Sequence, residues 1–300
     1  MRWLACAMVD RATKVAIVGA GNMGLAMARG LVATMKGATS RVVLSGKDLV
    51  RVRSSARQVG VRAAVSNRDA VRSAETIVLS VKPQILPGVL EEIRSAVPQG
   101  STVLSIAAGV PTAALESSLP AGTGVVRAMP NVAASVRASA TAYCLGRSAG
   151  PRDRRRALEI LNAIGTAVEV DESLMDAVTG LSGTGPLYLF LILESLSDAG
   201  VKVGLSRSVA SQLAIQTLVG SAQLVRSTGE HPAKLRDLVT SPGGTAITAL
   251  HSLERSGLKA MLMDAVEAAT RRSEELGRAR RVPASSLAPP VPSASDGPNR

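Results

Sequence analysis

Short, β-prone apolar runs punctuate the first half of the chain, at residues 14–18 (KVAIV), 41–45 (RVVLS), 76–81, 102–107, 123–128, 140–145 and 166–170. Helical patterns alternate with the early runs, which predicts βαβ units and a largely parallel, doubly wound sheet. After Asp171 the strand pattern stops. The remaining periodicity predicts helices over 171–179, 186–199, 206–228, 233–239, 245–256 and 258–276. Pro186 suits the first turn of its helix. Leu187, Tyr188, Phe190, Leu191, Ile192 and Leu193 make that helix apolar nearly all round. Such a helix must be buried on all sides, and in a small helical domain the readiest cover is a partner subunit.

The run at 14–18 leads directly into GAGNMG, which places Gly19, Gly21 and Gly24 on a G-x-G-x-x-G spacing. Met23, Leu25, Met27 and Leu31 continue it as a helix. Strand, glycine turn and helix in that order form a dinucleotide-binding context. The first Gly makes the tight turn, the second admits a pyrophosphate, and the third lets helix and strand pack. The expected fold class is therefore α/β. A Rossmann-type doubly wound sheet over residues 14–176 is followed by an all-helical substrate-binding and dimerisation domain over 177–276. The second run ends in Ser45-Gly46-Lys47, with Asp48 only afterwards. An acid at this strand end suits the ribose hydroxyls of NAD, whereas a hydroxyl and a cation suit the 2′-phosphate of NADP. NADP, with NADPH preferred over NADH, is the expected cofactor; the alternative reading of Lys47 is a solvated loop charge.

A second glycine turn lies in residues 237–253, DLVTSPGGTAITALHSL. Here Ser241 is placed to cap the following helix, and Pro242 suits a first helical position. Gly243 and Gly244 leave bare backbone at a helix start, where N–H groups attract a carboxylate or a phosphate. An ordinary turn before a structural helix is the competing reading.

Composition narrows the partners. Aromatic residues make up only 1% of the 300, against base-stacking nucleic-acid modules, and 46% are hydrophobic, enough for a sizeable core. The net charge of +12 gathers in local runs such as Arg154 to Arg156, which read as solvated faces. Cys6, Cys144, His231 and His251 show no metal-ligand spacing, and no metal is expected. The uncharged stretch near 177–193 is too short for a membrane span. A cytoplasmic location is expected. Residues 1–13 read as a flexible extension or an over-long start, and residues 277–300, rich in Pro and Ser from Val282, as a disordered tail.

These residues together resemble the pyrroline-5-carboxylate reductase family. The resemblance runs from about Lys14 to Leu276. It includes GAGNMG, SVKPQ at 80–84, SIAAGV at 105–110 and RAMPN at 127–131. It is densest in MDAVTGLSGTGPLYLF, DAGVKVGLSRSVA and HPAKLRDLVTSPGGTA. The resemblance implies reduction of 1-pyrroline-5-carboxylate to L-proline by hydride transfer from NAD(P)H, the last step of proline biosynthesis. It also implies a homodimer, with rings of dimers as a larger assembly. For the cofactor it implies Gly19, Ala20, Gly21, Asn22, Met23 and Gly24 at the pyrophosphate, while Ser45 and Lys47 are candidates from the end of the second run itself. Asn67 falls at the adenosine ribose, and Ser80, Val81, Lys82 and Pro83 along the nicotinamide half. For the substrate it implies Glu172, Ser241, Gly243, Gly244, Thr245 and Ala246.

The chain departs from the family where a Thr normally follows the turn: the pair here is Thr245-Ala246. The hydroxyl thought to assist the imine nitrogen is missing at 246, so either Thr245, a water or a substrate protonated beforehand does that work, or the enzyme is slow; Thr245 is the catalytic candidate of this turn. Two rivals come from other classes. An NADP-linked dehydrogenase of the hydroxyacid type needs a helix-borne Lys beside a glycine pair, and GTGPLYLFLILE contains none. A non-catalytic NADP-binding paralogue rests on Ala246 alone.

Overall fold

The computed structural model describes residues 14–281. The expected flexible extension at 1–13, and the tail from residue 282 onward, lie outside them. The first half comprises β1 (Val15–Val18), α1 (Asn22–Thr34), α2 (Ala38–Arg41), β2 (Val42–Ser45), α3 (Leu49–Val59), β3 (Arg62–Ala63), α4 (Asn67–Val71), β4 (Thr76–Leu79), α5 (Leu86–Ile93), β5 (Thr102–Ser105), α6 (Thr112–Ser118), β6 (Gly124–Met129), β7 (Ser139–Leu145), α7 (Pro151–Ala163) and β8 (Gly165–Glu169). One sheet results, in the order β3-β2-β1-β4-β5-β6-β7-β8. Strand order reverses between β1 and β4, where Val18 pairs with Ser45 on one side and Leu79 on the other. In a doubly wound sheet this switch point opens the ligand crevice at the carboxyl ends of the strands.

The central strands β1, β2, β4 and β5 are buried along their whole length because both faces are covered. Val15, Ile17, Val42 and Leu44 pack with Met27, Leu31, Val52 and Ile160 on one side. Ala16 and Val18 pack with Val71, Leu86, Leu90 and Ile93 on the other. Full burial of each large side chain stabilises by about 1.5–3 kcal/mol. The sheet is parallel through β6, then β7 turns antiparallel to β6 and β8 follows β7. Only residues 130–138 join β6 to β7, fewer than a helical crossover between parallel strands needs. The two-residue β3 carries no periodicity, and the sequence pattern misses it.

The second half is helical: α8 (Met175–Val178), α9 (Gly185–Lys202), α10 (Arg207–Thr228), α11 (Pro232–Leu238), α12 (Thr245–Arg255) and α13 (Leu258–Arg281). Pro186 stands in the first turn of α9 as expected. Three sequence expectations need correcting. First, residues 277–281 continue α13 rather than starting a disordered tail. Second, α12 starts at Thr245 with Gly244 as its N-cap and no side-chain cap, so Ser241 does not cap it and Pro242 is not in its first turn. Instead the Gly244 amide donates to the Ser241 carbonyl at 3.0 Å and Gly243 takes φ +68°. That is a tight turn with Pro and then Gly at its centre, the residues of a type II turn. Third, the helical stretch Glu172–Lys202 is long and apolar enough to cross a membrane, by length and composition. It is not one straight rod: a 3-10 turn, α8 and a π-helical turn at Thr179–Gly183 precede α9. The turn packs closely on α13, where a side chain on Gly180 would lie 2.7 Å from the Val266 carbonyl.

Candidate active site

In the first glycine turn Gly19 and Gly24 each have a steric reason of their own, and Gly21 is left bare. Gly19 sits at φ +116°, and a side-chain carbon there would lie 2.4 Å from the Ser80 carbonyl oxygen. A side-chain carbon on Gly24 would lie 2.1 Å from the Gly19 carbonyl, so helix α1 and strand β1 meet through it. At Gly21 nothing stands within 4 Å of such a carbon. Gly21 is also the N-cap of α1 with no side-chain cap, so the first amides of the helix face open space without a partner from their own helix.

A cleft of about 570 Å³ runs past this turn, lined by Gly21, Asn22, Met23, Arg51, Ser80, Val81, Lys82, Ile106, Met129 and Pro130. Most of the predicted cofactor residues thus converge at the switch point. Ala20 is buried beside the turn, and Ser45 is fully buried at the end of β2. Lys47 is exposed. Pro83 faces away, into a separate apolar cleft with Leu86 and Val110. Asp48 is used locally: its Oδ1 accepts from the Arg51 amide at 3.0 Å and caps α3. Sequence reasoning missed Arg51, Ile106, Met129 and Pro130 as site residues. The last three lie in SIAAGV and RAMPN, whose apolar side chains look like core in one dimension.

Three buried side-chain atoms among the described residues have no hydrogen-bond partner: Ser45 Oγ, Asn67 Oδ1 and Ser80 Oγ. A buried polar atom left unpaired costs free energy, about 1–3 kcal/mol. All three belong to the predicted cofactor set. The glycine cradle, the bare helix start and these atoms fit a dinucleotide.

The predicted substrate residues are not gathered with them. Ser241, Gly243 and Thr245 are exposed on the helical half, with Gly244 and Ala246 half-buried. Because the Gly244 amide closes the turn, the amides left for an anion are those of Gly243 and the first turn of α12. Glu172 lies at the junction of the halves, in a polar cleft with Arg127, Asp176, Glu274 and Arg278. Its Oε1 accepts from the Thr112 amide at 2.7 Å and from Arg127 Nη1 at 3.2 Å, and its Oε2 accepts from the Thr112 hydroxyl at 2.6 Å. Burial pushes its pKa up, but the Thr112 hydroxyl and amide and the Arg127 guanidinium outweigh it, and the net shift is down. Nearby, burial and then the Glu172 charge push the Cys144 thiol up to about 11, so it is protonated and inert at neutral pH.

Comparison with known proteins decides the lineage. The family described as "Pyrroline-5-carboxylate reductase dimerisation" matches residues 172–276. The family described as "NADP oxidoreductase coenzyme F420-dependent" matches residues 14–109. A pyrroline-5-carboxylate reductase of Methanosarcina acetivorans is 43% identical over 267 residues, covering 88% of this chain and 98% of the relative. This chain belongs to the pyrroline-5-carboxylate reductase family. Human pyrroline-5-carboxylate reductase 2 is 39% identical over 87% of this chain and 83% of the relative. The solved Coxiella burnetii reductase superposes with a TM-score of 0.83 at 33% identity, covering 88% of this chain and 98% of that one. The Plasmodium falciparum pyrroline carboxylate reductase, solved with NADP bound, gives 0.77 at 32% identity over 88% and 98%. Like its family, this chain is an NADP-linked oxidoreductase with a dimerisation domain in its helical half. The hydroxyacid-type rival and the non-catalytic rival have no such support.

Proposed function

We propose that the chain reduces 1-pyrroline-5-carboxylate to L-proline with NADPH in preference to NADH, in a cytoplasmic homodimer that further assembles as a ring of dimers. The observation that carries the cofactor assignment is the coincidence of a bare glycine cradle with three buried, partnerless polar atoms. When bound, NADPH supplies the hydride. The Gly21 turn and the α1 amides hold the pyrophosphate, and Ile106, Met129 and Pro130 form the apolar wall that keeps water from the nicotinamide half. Arg51 and Lys47 hold the 2′-phosphate, because the end of β2 carries Ser45 and Lys47, and the acid that follows, Asp48, turns its Oδ1 to the Arg51 amide at the start of α3. The amides of Gly243 and of the start of α12 hold the substrate carboxylate, with Ser241 and Ala246 flanking. A cyclic imine protonated in solution needs no nucleophile and no metal: one hydride at carbon and the proton already on nitrogen complete the amine. Placement is then the enzyme's task. Thr245 offers the hydroxyl of this turn toward the nitrogen, and Glu172 positions the helical half on Thr112 and Arg127.

A membrane is not part of this reading. Within Glu172–Lys202 both Glu172 and Asp176 are bonded to other elements of the protein, Glu172 as above and Asp176 Oδ1 accepting from the Ser273 hydroxyl at 2.6 Å. Nor is nucleic acid, since the aromatic content is 1%. Steady-state kinetics on the imine with both cofactors test the assignment. NADPH is expected to give the higher kcat/KM, and Arg51→Ala to lower it for NADPH alone by about 1–3 kcal/mol, a charge-assisted contact. Equal kcat/KM for NADPH and NADH in the parent enzyme would overturn the preference, and absence of turnover with either would overturn the activity.

A further inference from the structure

Asn67 is the one member of the partnerless trio whose orientation is dictated by another residue. It opens α4, which packs against β1, β2 and α5. Its side chain is not used to start that helix. Ser66 does so, accepting from the Asp69 amide at 3.0 Å and donating to Asp69 Oδ2 at 2.7 Å. Asn67 Nδ2 instead donates to Oε2 of Glu92, on α5, at 2.8 Å. An ionised carboxylate only accepts, so this bond decides which end of the amide faces Glu92. The NH2 end is taken. The Oδ1 end is left buried and without a partner in a residue only 7% exposed.

A structural staple between α4 and α5 is not what the pair provides. Those helices are already joined by Ala70, Val71, Leu86, Leu90 and Ile93 in one apolar cluster. A staple alone would also leave Oδ1 unsatisfied. The arrangement is an acceptor held ready for a donor. In a dinucleotide the ribose hydroxyls donate, while ionised phosphate oxygens do not.

We propose that Glu92 is a positioning residue for the cofactor: from α5 it locks the Asn67 amide so that Oδ1 accepts from a ribose hydroxyl. This rests on the cofactor site proposed above. Glu92 is exposed apart from this bond, so replacing it leaves the core intact.

Titration of the full-length protein with NADPH, followed by nucleotide fluorescence, tests the idea. Glu92→Ala and Asn67→Ala are each expected to raise the NADPH Kd about five-fold, the effect of one neutral hydrogen bond. The double variant should bind no worse than either single one. In steady-state assays the loss in the Glu92 variant should appear in the KM for NADPH rather than in kcat. If Glu92→Ala folds poorly, Glu92→Leu serves in the same cycle. An unchanged Kd in the Glu92 variant, or losses that multiply in the double variant, would overturn the positioning role. A lowered Tm with unchanged Kd would do the same, by identifying a staple. Failure of the parent protein to bind NADPH would instead remove the site itself.

Discussion

The two halves of this chain treat their apolar residues in opposite ways. In the sheet half, Ile17, Leu44, Ile77 and Leu104 are fully buried within the chain. In the helical half, Leu187 is 63% exposed and Phe190 62%, and Leu213, Ile215 and Met263 stand out in the same manner. The strands satisfy the requirement for burial by pairing and by helices on both faces. In the helical half α9 packs on α10, and α13 on α8 and the π-helical turn, but among the described residues their outer apolar faces are left uncovered. Exposed apolar surface of this extent on helices that match a dimerisation family marks a subunit interface. The two glycine turns follow the same division. The one at Gly19 to Gly24 is closed by the loop after β4, whereas the one at Ser241 to Thr245 is exposed. The difference teaches that the sheet half covers its apolar residues within one chain, whereas the apolar faces of the helical half call for a second.

The strongest way to break this comparison is to block assembly. Phe190→Asp puts an unpaired charge where the second copy should sit, at a cost of about 3–5 kcal/mol per copy. Sedimentation should show monomers, and imine reduction should fall by two orders of magnitude or more, while NADPH fluorescence titration changes less than about three-fold. An active monomer would collapse the distinction between the halves.

Glycine substitutions sharpen it. Gly24→Ala forces a carbon against the Gly19 carbonyl, and overpacking of that kind costs about 1–3 kcal/mol. NADPH binding should weaken by about 5- to 150-fold. Gly243→Ala strains a left-handed turn by about 1–2 kcal/mol. It should raise the KM for the imine by roughly 5- to 30-fold and leave the NADPH Kd alone. If both variants moved the same parameter, the turns would not serve different ligands.

The smallest effect concerns the missing hydroxyl. Ala246→Thr restores a hydrogen bond to the imine nitrogen, worth about 0.5–1.5 kcal/mol. A three- to twelve-fold rise in kcat/KM is expected in steady-state assays. Thr245→Ala should lower kcat more than it changes KM if that hydroxyl has taken over the role. No response to either substitution would confine the turn to binding the carboxylate.

What the sequence alone determined is whatever local chemistry controls. Apolar runs bounded by glycine turns gave strands within a residue or two, because buried parallel strands need no alternation. Spacing alone assigned the tight turn to Gly19 and the helix–strand packing to Gly24, and the structure shows a separate steric reason for each of these two. The helix that is apolar all round announced an interface without any coordinates. Tertiary structure decided the rest. Whether Ser241 caps α12 depended on where Gly243 turns the chain. The short connection at 130–138 reversed the last two strands, and no propensity registers a connection length. Arg51, Met129 and Pro130 became cleft residues only when the start of α3, the end of β6 and the Gly19 turn came together at the carboxyl ends of the strands. Glu172 was drawn to Thr112 and Arg127 by hydrogen bonds spanning residues far apart in the chain. Local sequence carries turns, caps and periodicity because these are short-range energies, and the pairing of distant polar groups is settled only when the layers pack.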